Sequence, residues 1–195
     1  LYVGLDNSPG LLQEAVQSEE LATAQGGDSR FPSVFLQVDL AEPEWEQVLR
    51  NALSGSLAKT ETGNNGLPAF DLVFAFAVLH HLPGEELRRS VLSKVHSLLV
   101  PEGRFIHSNW QFLNSPRLQA RVVPWERGGL SSEEVDPGDY LLDWRQGGEG
   151  LRYVHHFQEE ELYRLAEETG FRVEETFFSD GEGGNLGLYQ VWKRV

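Results

Sequence analysis

The chain has no cysteine and no methionine. The first absence excludes disulfides and thiolate zinc sites within these residues, and no metal centre is expected. No apolar run approaches the roughly 20 residues that span a bilayer, and no secretory signal is visible. No membrane partner is therefore expected, and a cytoplasmic setting is the default. Positive charge is scarce: 16 Lys and Arg stand against 30 Asp and Glu, a net charge of −14. That balance argues against a globally basic nucleic-acid binder. Internal repeats are missing as well. What remains, 195 residues that are 40% hydrophobic and 11% aromatic, is the composition of a folded domain with a core.

The scarce bases are unevenly spread. Between residues 87 and 125, Arg88, Arg89, Lys94, Arg104, Arg117 and Arg121 face one acid, Glu102. Two readings stand: an ordinary helix face followed by a loop, or an anion-facing rim beside a site.

Apolar spacing alternates strands with helices. Residues 1–5 read as a short buried strand ending at Asp6. Asn7-Ser8-Pro9 is a helix start, and Leu11, Leu12, Ala15 and Val16 follow helical spacing. Residues 25–29 break the chain, and 33–38 alternate as a strand ending at Asp39. Residues 43–52 read as a helix with Trp45, Val48 and Leu49 on one face. Residues 54–68, rich in Gly, Asn, Ser and Thr, read as a surface loop. Residues 70–76 form a buried strand, and 77–84 a loop carrying His80 and His81. An amphipathic helix follows over 85–99, then a Pro101-Glu102-Gly103 turn and a strand from Arg104.

Residues 111–151, with Pro116, Pro124, Pro137 and several Gly pairs, are the least regular, and read as an insert or lid over the site. Residues 158–169 form a helix closed by Gly170. Residues 171–178 and 186–193 are strands of a hairpin around the acidic loop 179–185. The order predicts an α/β fold: a doubly wound, mostly parallel sheet with helices on both faces and a C-terminal hairpin giving one antiparallel edge strand. Ligands of such sheets sit at the carboxyl ends of the strands, which singles out Asp6, Asp39 and the His80–His81 loop.

These segments resemble class I S-adenosylmethionine-dependent methyltransferases over essentially the whole chain. Asp6, in YVGLDNSPGLL, sits where that family places an acid on the cofactor ribose. Asp39, followed by Leu40 in FLQVDLAEPEW, sits where it places an acid near the adenine amino group. Residues 70–82 match the family's fourth strand and loop, Pro101-Glu102-Gly103 the turn before its fifth, and the terminal hairpin its antiparallel seventh strand. The resemblance implies a Rossmann-like methyltransferase fold. It also implies S-adenosyl-L-methionine as cofactor, with Asp6, Asp39, Leu40, Ala75 and Phe76 as candidate binding residues. The family's glycine-rich loop is not among these residues, and Leu1 already begins the second strand. The first strand and that loop are therefore expected upstream, and residues 1–195 read as a single methyltransferase domain truncated at its N-terminus.

The chain is also similar, more narrowly, to the tRNA wobble-uridine methyltransferases that esterify a carboxymethyl group. The matching pieces are AVLHHLPGEELRRSVL, HSNWQF, PGDYLLDWRQ and LRYVHHFQEEELYRL. That resemblance implies His80 and Arg88 as the catalytic pair. Trp110, Asp139, Tyr153 and His155 become substrate-binding candidates, and His156 lies on a matching segment. Where the family has Pro before Trp, this chain has Asp143 before Trp144, which adds negative charge.

A carboxylate acceptor is already nucleophilic and needs only a cation to orient it, a role suited to Arg88. A hydroxyl or amine acceptor needs proton removal, a role suited to His80. Three functions follow. A tRNA-directed enzyme predicts a basic surface of Arg88, Arg117, Arg121, Arg127 and Arg145. A small-molecule methyltransferase predicts an enclosed pocket walled by Trp110, Trp125, Trp144 and Tyr140. A non-catalytic methyltransferase-like subunit is the third. A small activating subunit, as in some relatives, is a further expected partner.

Overall fold

The computed structural model describes residues 1–24, 32–53, 69–145 and 150–195. They fall into two compact units, Leu1–Pro68 and Ala69–Val195. The expected break at 25–29 and surface loop at 54–68 lie outside the described residues.

The first unit holds β1 (Tyr2–Asp6), α1 (Pro9–Ala24), β2 (Ser33–Gln37) and α2 (Glu46–Leu53). β1 and β2 pair in parallel, with Asp6 opposite Gln37. Ser8 opens α1, its hydroxyl accepting from the Leu11 amide at 3.4 Å and its carbonyl from the Leu12 amide at 3.2 Å. The apolar spacing of α1 does not become a buried face: none of its residues is buried, and Leu11, Val16 and Leu21 are exposed. A two-stranded sheet is too narrow to cover a helix of 16 residues. α2 begins later than the spacing predicts. Tight turns occupy 39–45, where Glu42 donates to the Asp39 carbonyl at 3.1 Å and Trp45 to the Glu42 carbonyl at 3.3 Å. The buried face of this stretch is Trp45, Leu49 and Leu53, four residues apart, which leaves Val48 exposed at its margin.

The second unit holds β3 (Phe70–Phe76), α3 (Glu85–Leu98), β4 (Leu99–Trp110), α4 (Pro116–Gln119), β5 (Val122–Val123), β6 (Asp139–Trp144), β7 (Gly150–His155), α5 (Glu159–Glu168), β8 (Phe171–Ser179) and β9 (Gly187–Arg194). β3, β4, β9 and β8 form one sheet in that order. Period-two alternation sends Phe105, His107 and Asn109 of β4 to one buried face with Trp192, Gln190 and Leu188 of β9. The other side of β3 carries Leu72, Phe74 and Phe76, each about half exposed. The Pro101–Gly103 turn interrupts β4: pairing jumps from Phe70–Leu99 to Leu72–Arg104, with Glu102 at φ 68°. A Cβ at Gly103 would stand 2.9 Å from the Val100 carbonyl.

Three expectations change. The described strands form three sheets rather than one mostly parallel sheet. Only β1–β2 and β3–β4 are parallel, against four antiparallel pairings. In the hairpin, the antiparallel strand is not at the edge: β9 lies between β4 and β8, because the chain returns into the sheet rather than beyond it. Finally, the stretch read as least regular carries its own antiparallel sheet, β5–β6–β7. It is held by a buried cluster of Phe112, Leu118, Leu142 and Val154, with Trp110, Val122 and Tyr140 packed against it. Among the described residues no helix is long and apolar enough to cross a membrane.

β3 ends in a strained residue. Ala77 has φ 55°, and its amide donates to the Ser108 carbonyl at 3.1 Å. The left-handed region costs an L-residue about 1–2 kcal/mol, while glycine adds about 0.5–1 kcal/mol of chain entropy. Ala77→Gly is therefore expected to leave stability unchanged or raise it by up to about 1.5 kcal/mol. Urea unfolding midpoints check this; a clear loss of stability contradicts it.

Candidate active site

The first unit brings Asp6 and Asp39 to neighbouring strand ends. The Val38 amide donates to the Asp6 carbonyl at 2.9 Å, and the Asn7 side-chain amide reaches Asp39 Oδ2 at 3.5 Å. Each carboxylate spends Oδ1 on its own turn: Asp6 accepts from the Ser8 amide at 2.7 Å, Asp39 from the Ala41 amide at 2.9 Å. The second oxygen of each lies at the carboxyl end of a parallel pair, with half-buried Leu40 next to Asp39. Such acceptor-only groups suit a diol and an amino group. Ala75 and Phe76 belong to the second unit, at the end of β3, where the exposed Phe76 ring leans on Tyr189 at 6.3 Å.

In the second unit the loop after β3 winds into a 3-10 turn, Leu79–His81. His80 is 1% exposed, and its Nδ1 accepts from the Trp110 backbone amide at 3.2 Å. A neutral ring that accepts at Nδ1 carries its proton on Nε2. Burial first, then neighbouring His81, pushes its pKa down to about 3, with the Asn109 side chain opposing the shift. His80 is thus a neutral ring with no lone pair to spare. His81 has the opposite tautomer: its Nδ1 donates to the Tyr153 carbonyl at 3.0 Å, leaving Nε2 as an acceptor. Its pKa is lowered by burial and also by the charge of Arg152.

The sequence reading offers Arg88 to a substrate carboxylate, but the guanidinium is turned inward and is 1% exposed. It donates to the Leu82 carbonyl at 3.0 Å and the Tyr153 hydroxyl at 3.2 Å. Asp136 lies 3.6 Å away, Glu161 4.0 Å, and the Phe157 ring centroid 5.6 Å. Asp139, Tyr153 and His155 are drawn into the same network. The Tyr153 hydroxyl donates to Asp139 at 2.6 Å, and His155 bridges Asp139 at 2.6 Å and Glu161 at 3.0 Å. Burial alone would lower the His155 pKa; the two carboxylates outweigh it and raise it. Burial would likewise raise Asp139, but the His155 and Tyr153 bonds hold it below the usual range. Gly138, at φ 93°, lets the chain pass: a Cβ there would sit 3.0 Å from His155 Cε1. These residues, expected to touch substrate, are instead committed to one another, because each finds an opposite charge or dipole within the fold.

Part of the expected basic rim is paired in the same way. Arg89 pairs with Glu85 and Glu168, Arg104 with Glu174, and Arg145 with Asp143. Arg127 and Arg121 also act on Asp143. Trp110 remains beside the site, its ring 6.3 Å from those of His80 and Phe112. Two residues were missed. Asn109, buried next to His80, sat in the matching segment HSNWQF without being singled out. Arg152, whose guanidinium lies over the Trp144 ring, sat in a matching segment without a distinguishing spacing.

Known proteins give the family. Residues 1–105 match a family model described as a methyltransferase domain. An Encephalitozoon cuniculi protein named as a methyltransferase is 30% identical over 105 residues, 54% of this chain and 46% of the relative. The chain thus spans about half the length of that relative. A Methanosarcina mazei S-adenosylmethionine-dependent methyltransferase superposes with TM-score 0.64 at 17% identity, covering 99% of this chain and 81% of its own. Magnesium protoporphyrin IX methyltransferase of Synechocystis PCC 6803, with bound S-adenosylhomocysteine, gives 0.57 at 20% identity, covering 100% and 64%. These likenesses establish a Rossmann-like α/β fold. With more than half of its residues matched by the family model, the chain belongs to the methyltransferase domain family.

Proposed function

We propose that the protein is an S-adenosylmethionine-dependent methyltransferase that esterifies a carboxylate, and that this carboxylate is the carboxymethyl group of a tRNA wobble uridine. Family membership supports methyl transfer. The observation that carries the acceptor class is the state of His80: buried, neutral, and with Nδ1 filled by the Trp110 amide. A site without a base at that position suits an acceptor that is already nucleophilic. The tRNA assignment is supported by the four sequence segments shared with the wobble-uridine enzymes.

Asp6 would hold the cofactor's ribose hydroxyls and Asp39 its adenine amino group. Bound there, the cofactor supplies a methyl group on a cationic sulfonium. The chain's task is then to orient the acceptor oxygen in line and exclude water. With an ionised carboxylate as acceptor, the chain's residues would have no proton to remove. His80 acts as a fixed wall and an Nε2–H donor. Arg88 holds the loop through the Leu82 carbonyl, and the β5–β6–β7 sheet closes the acceptor side. A second reading has one observation in its favour: His81 Nε2 is left as an acceptor, and could serve as base for a hydroxyl on a small molecule.

The readings differ in pH dependence. A carboxylate is ionised above about pH 5, and His80, with its pKa near 3, stays neutral throughout. kcat/KM is therefore expected to be flat between about pH 6 and 8.5, whereas a histidine base gives a limb falling on the acid side. His80→Ala is expected to lower kcat by less than about tenfold; a loss of about 10²–10⁴ marks a base and contradicts this role. Asp6→Ala and Asp39→Ala are each expected to weaken S-adenosylhomocysteine binding by about ten- to a hundredfold in calorimetry. Unchanged affinity in both would remove this cofactor assignment.

A further inference from the structure

We infer that Arg152 is the residue that receives the acceptor's carboxylate and so sets the preference for an acidic acceptor. This rests on the methyl-transfer reading above. Arg88, the cation suggested by sequence, is spent on Leu82, Tyr153, Asp136 and Glu161. Arg152 is built differently. It lies on β7 opposite Leu142, one residue before the Tyr153 carbonyl that anchors His81. Its guanidinium carbon stands 3.4 Å from the centroid of the Trp144 ring, so the fork is stacked on the indole.

Among the described residues the Arg152 side chain makes no hydrogen bond and no ion pair, although the residue is half-buried. A partly desolvated cation without a counter-ion is costly, and burial lowers its pKa. Its charge depresses both His80 and His81, which puts it within electrostatic range of the turn after β3. Other groups acting on those two rings are Asn109, His155 and the Tyr153 carbonyl, and none of them is a carboxylate.

A stacked guanidinium presents paired N–H groups that match a planar anion. Carboxylate and phosphate share that geometry. The neutral, proton-occupied His80 favours the carboxylate, because the reacting oxygen then needs no deprotonation.

The test compares two anticodon stem-loops, one carrying 5-carboxymethyluridine and the other the neutral 5-carbamoylmethyluridine. Their phosphates are identical, so their difference isolates the carboxylate. Binding to the full-length protein is followed by fluorescence anisotropy with S-adenosylhomocysteine present. The wild type is expected to prefer the carboxylate probe by about tenfold or more. Arg152→Met is expected to erase that preference while leaving the S-adenosylhomocysteine Kd from calorimetry unchanged. Arg152→Lys, which keeps the stem and charge but loses the fork, is expected to retain part of it, and serves if the Met variant does not fold.

A preference that survives in both variants overturns the inference. So does an equal loss for both probes in Arg152→Met, which would assign Arg152 to a phosphate. A wild type that binds S-adenosylhomocysteine but does not distinguish the probes also overturns it, and leaves methyl transfer standing. A wild type that binds no S-adenosylhomocysteine removes the methyl-transfer reading, and the inference falls with it.

Discussion

The guanidinium of Arg88, 1% exposed, holds together the acceptor side of the second unit. It ties the carbonyl that follows the His80–His81 turn to Tyr153 on β7, and it draws in Asp136 before β6 and Glu161 on α5. The Arg88 guanidinium and the His155 ring, whose pKa the carboxylates raise, stand among Asp136, Asp139 and Glu161. A buried charge that loses its partner costs about 3–5 kcal/mol, so each member constrains the rest. Tyr153 is fixed at its hydroxyl by Arg88 and Asp139, and its carbonyl can then hold His81. Asp139 and His155 hold β6 to β7 and α5 in turn.

That constraint separates two kinds of polar residue. Arg88, Asp139, Tyr153 and His155 are satisfied by one another and shape the site without facing it. Among the described residues the Arg152 side chain is met by nothing but an aromatic face. Among the described residues several bases are paired with the chain's own acids, whereas the Arg152 guanidinium is stacked on an indole within electrostatic range of His80 and His81. Under the proposed function, the net charge of −14 fits recognition by a single fork rather than by a broad basic surface.

Local pattern carried much of the fold. β3 and α3 were legible to within a residue, because Phe70–Phe76 is largely apolar and α3 is amphipathic, whereas β4 begins at Leu99, five residues before the expected Arg104, and takes the Pro101–Gly103 turn into the strand. The sheet of β5, β6 and β7 was not legible. In DYLLDW the adjacent Leu141 and Leu142 are both buried, which blurs the period-two signal. Its partner strand lies across a Gly-rich stretch that reads as loop. Within each unit, the strand ends that carry Asp6, Asp39 and the His80–His81 turn were legible. The role of Arg88 was not, since residue type and spacing mark a cation without saying whether the fold has already used it. The tautomer of His80 depends on an amide thirty residues away, and the stacking of Arg152 depends on the register of a hairpin.

The central claim is that methyl transfer here makes an ester on an already ionised oxygen. The chemical nature of the product tests it most directly. The full-length protein would be incubated with methyl-tritiated S-adenosylmethionine and bulk tRNA lacking its wobble methyl esters, and the labelled RNA then treated with mild alkali. An ester returns its methyl group as methanol, so the account predicts that the label becomes volatile and that carboxymethyluridine is recovered. Label that stays on the nucleoside through alkali, as N-methyl, C-methyl or ether, would contradict it.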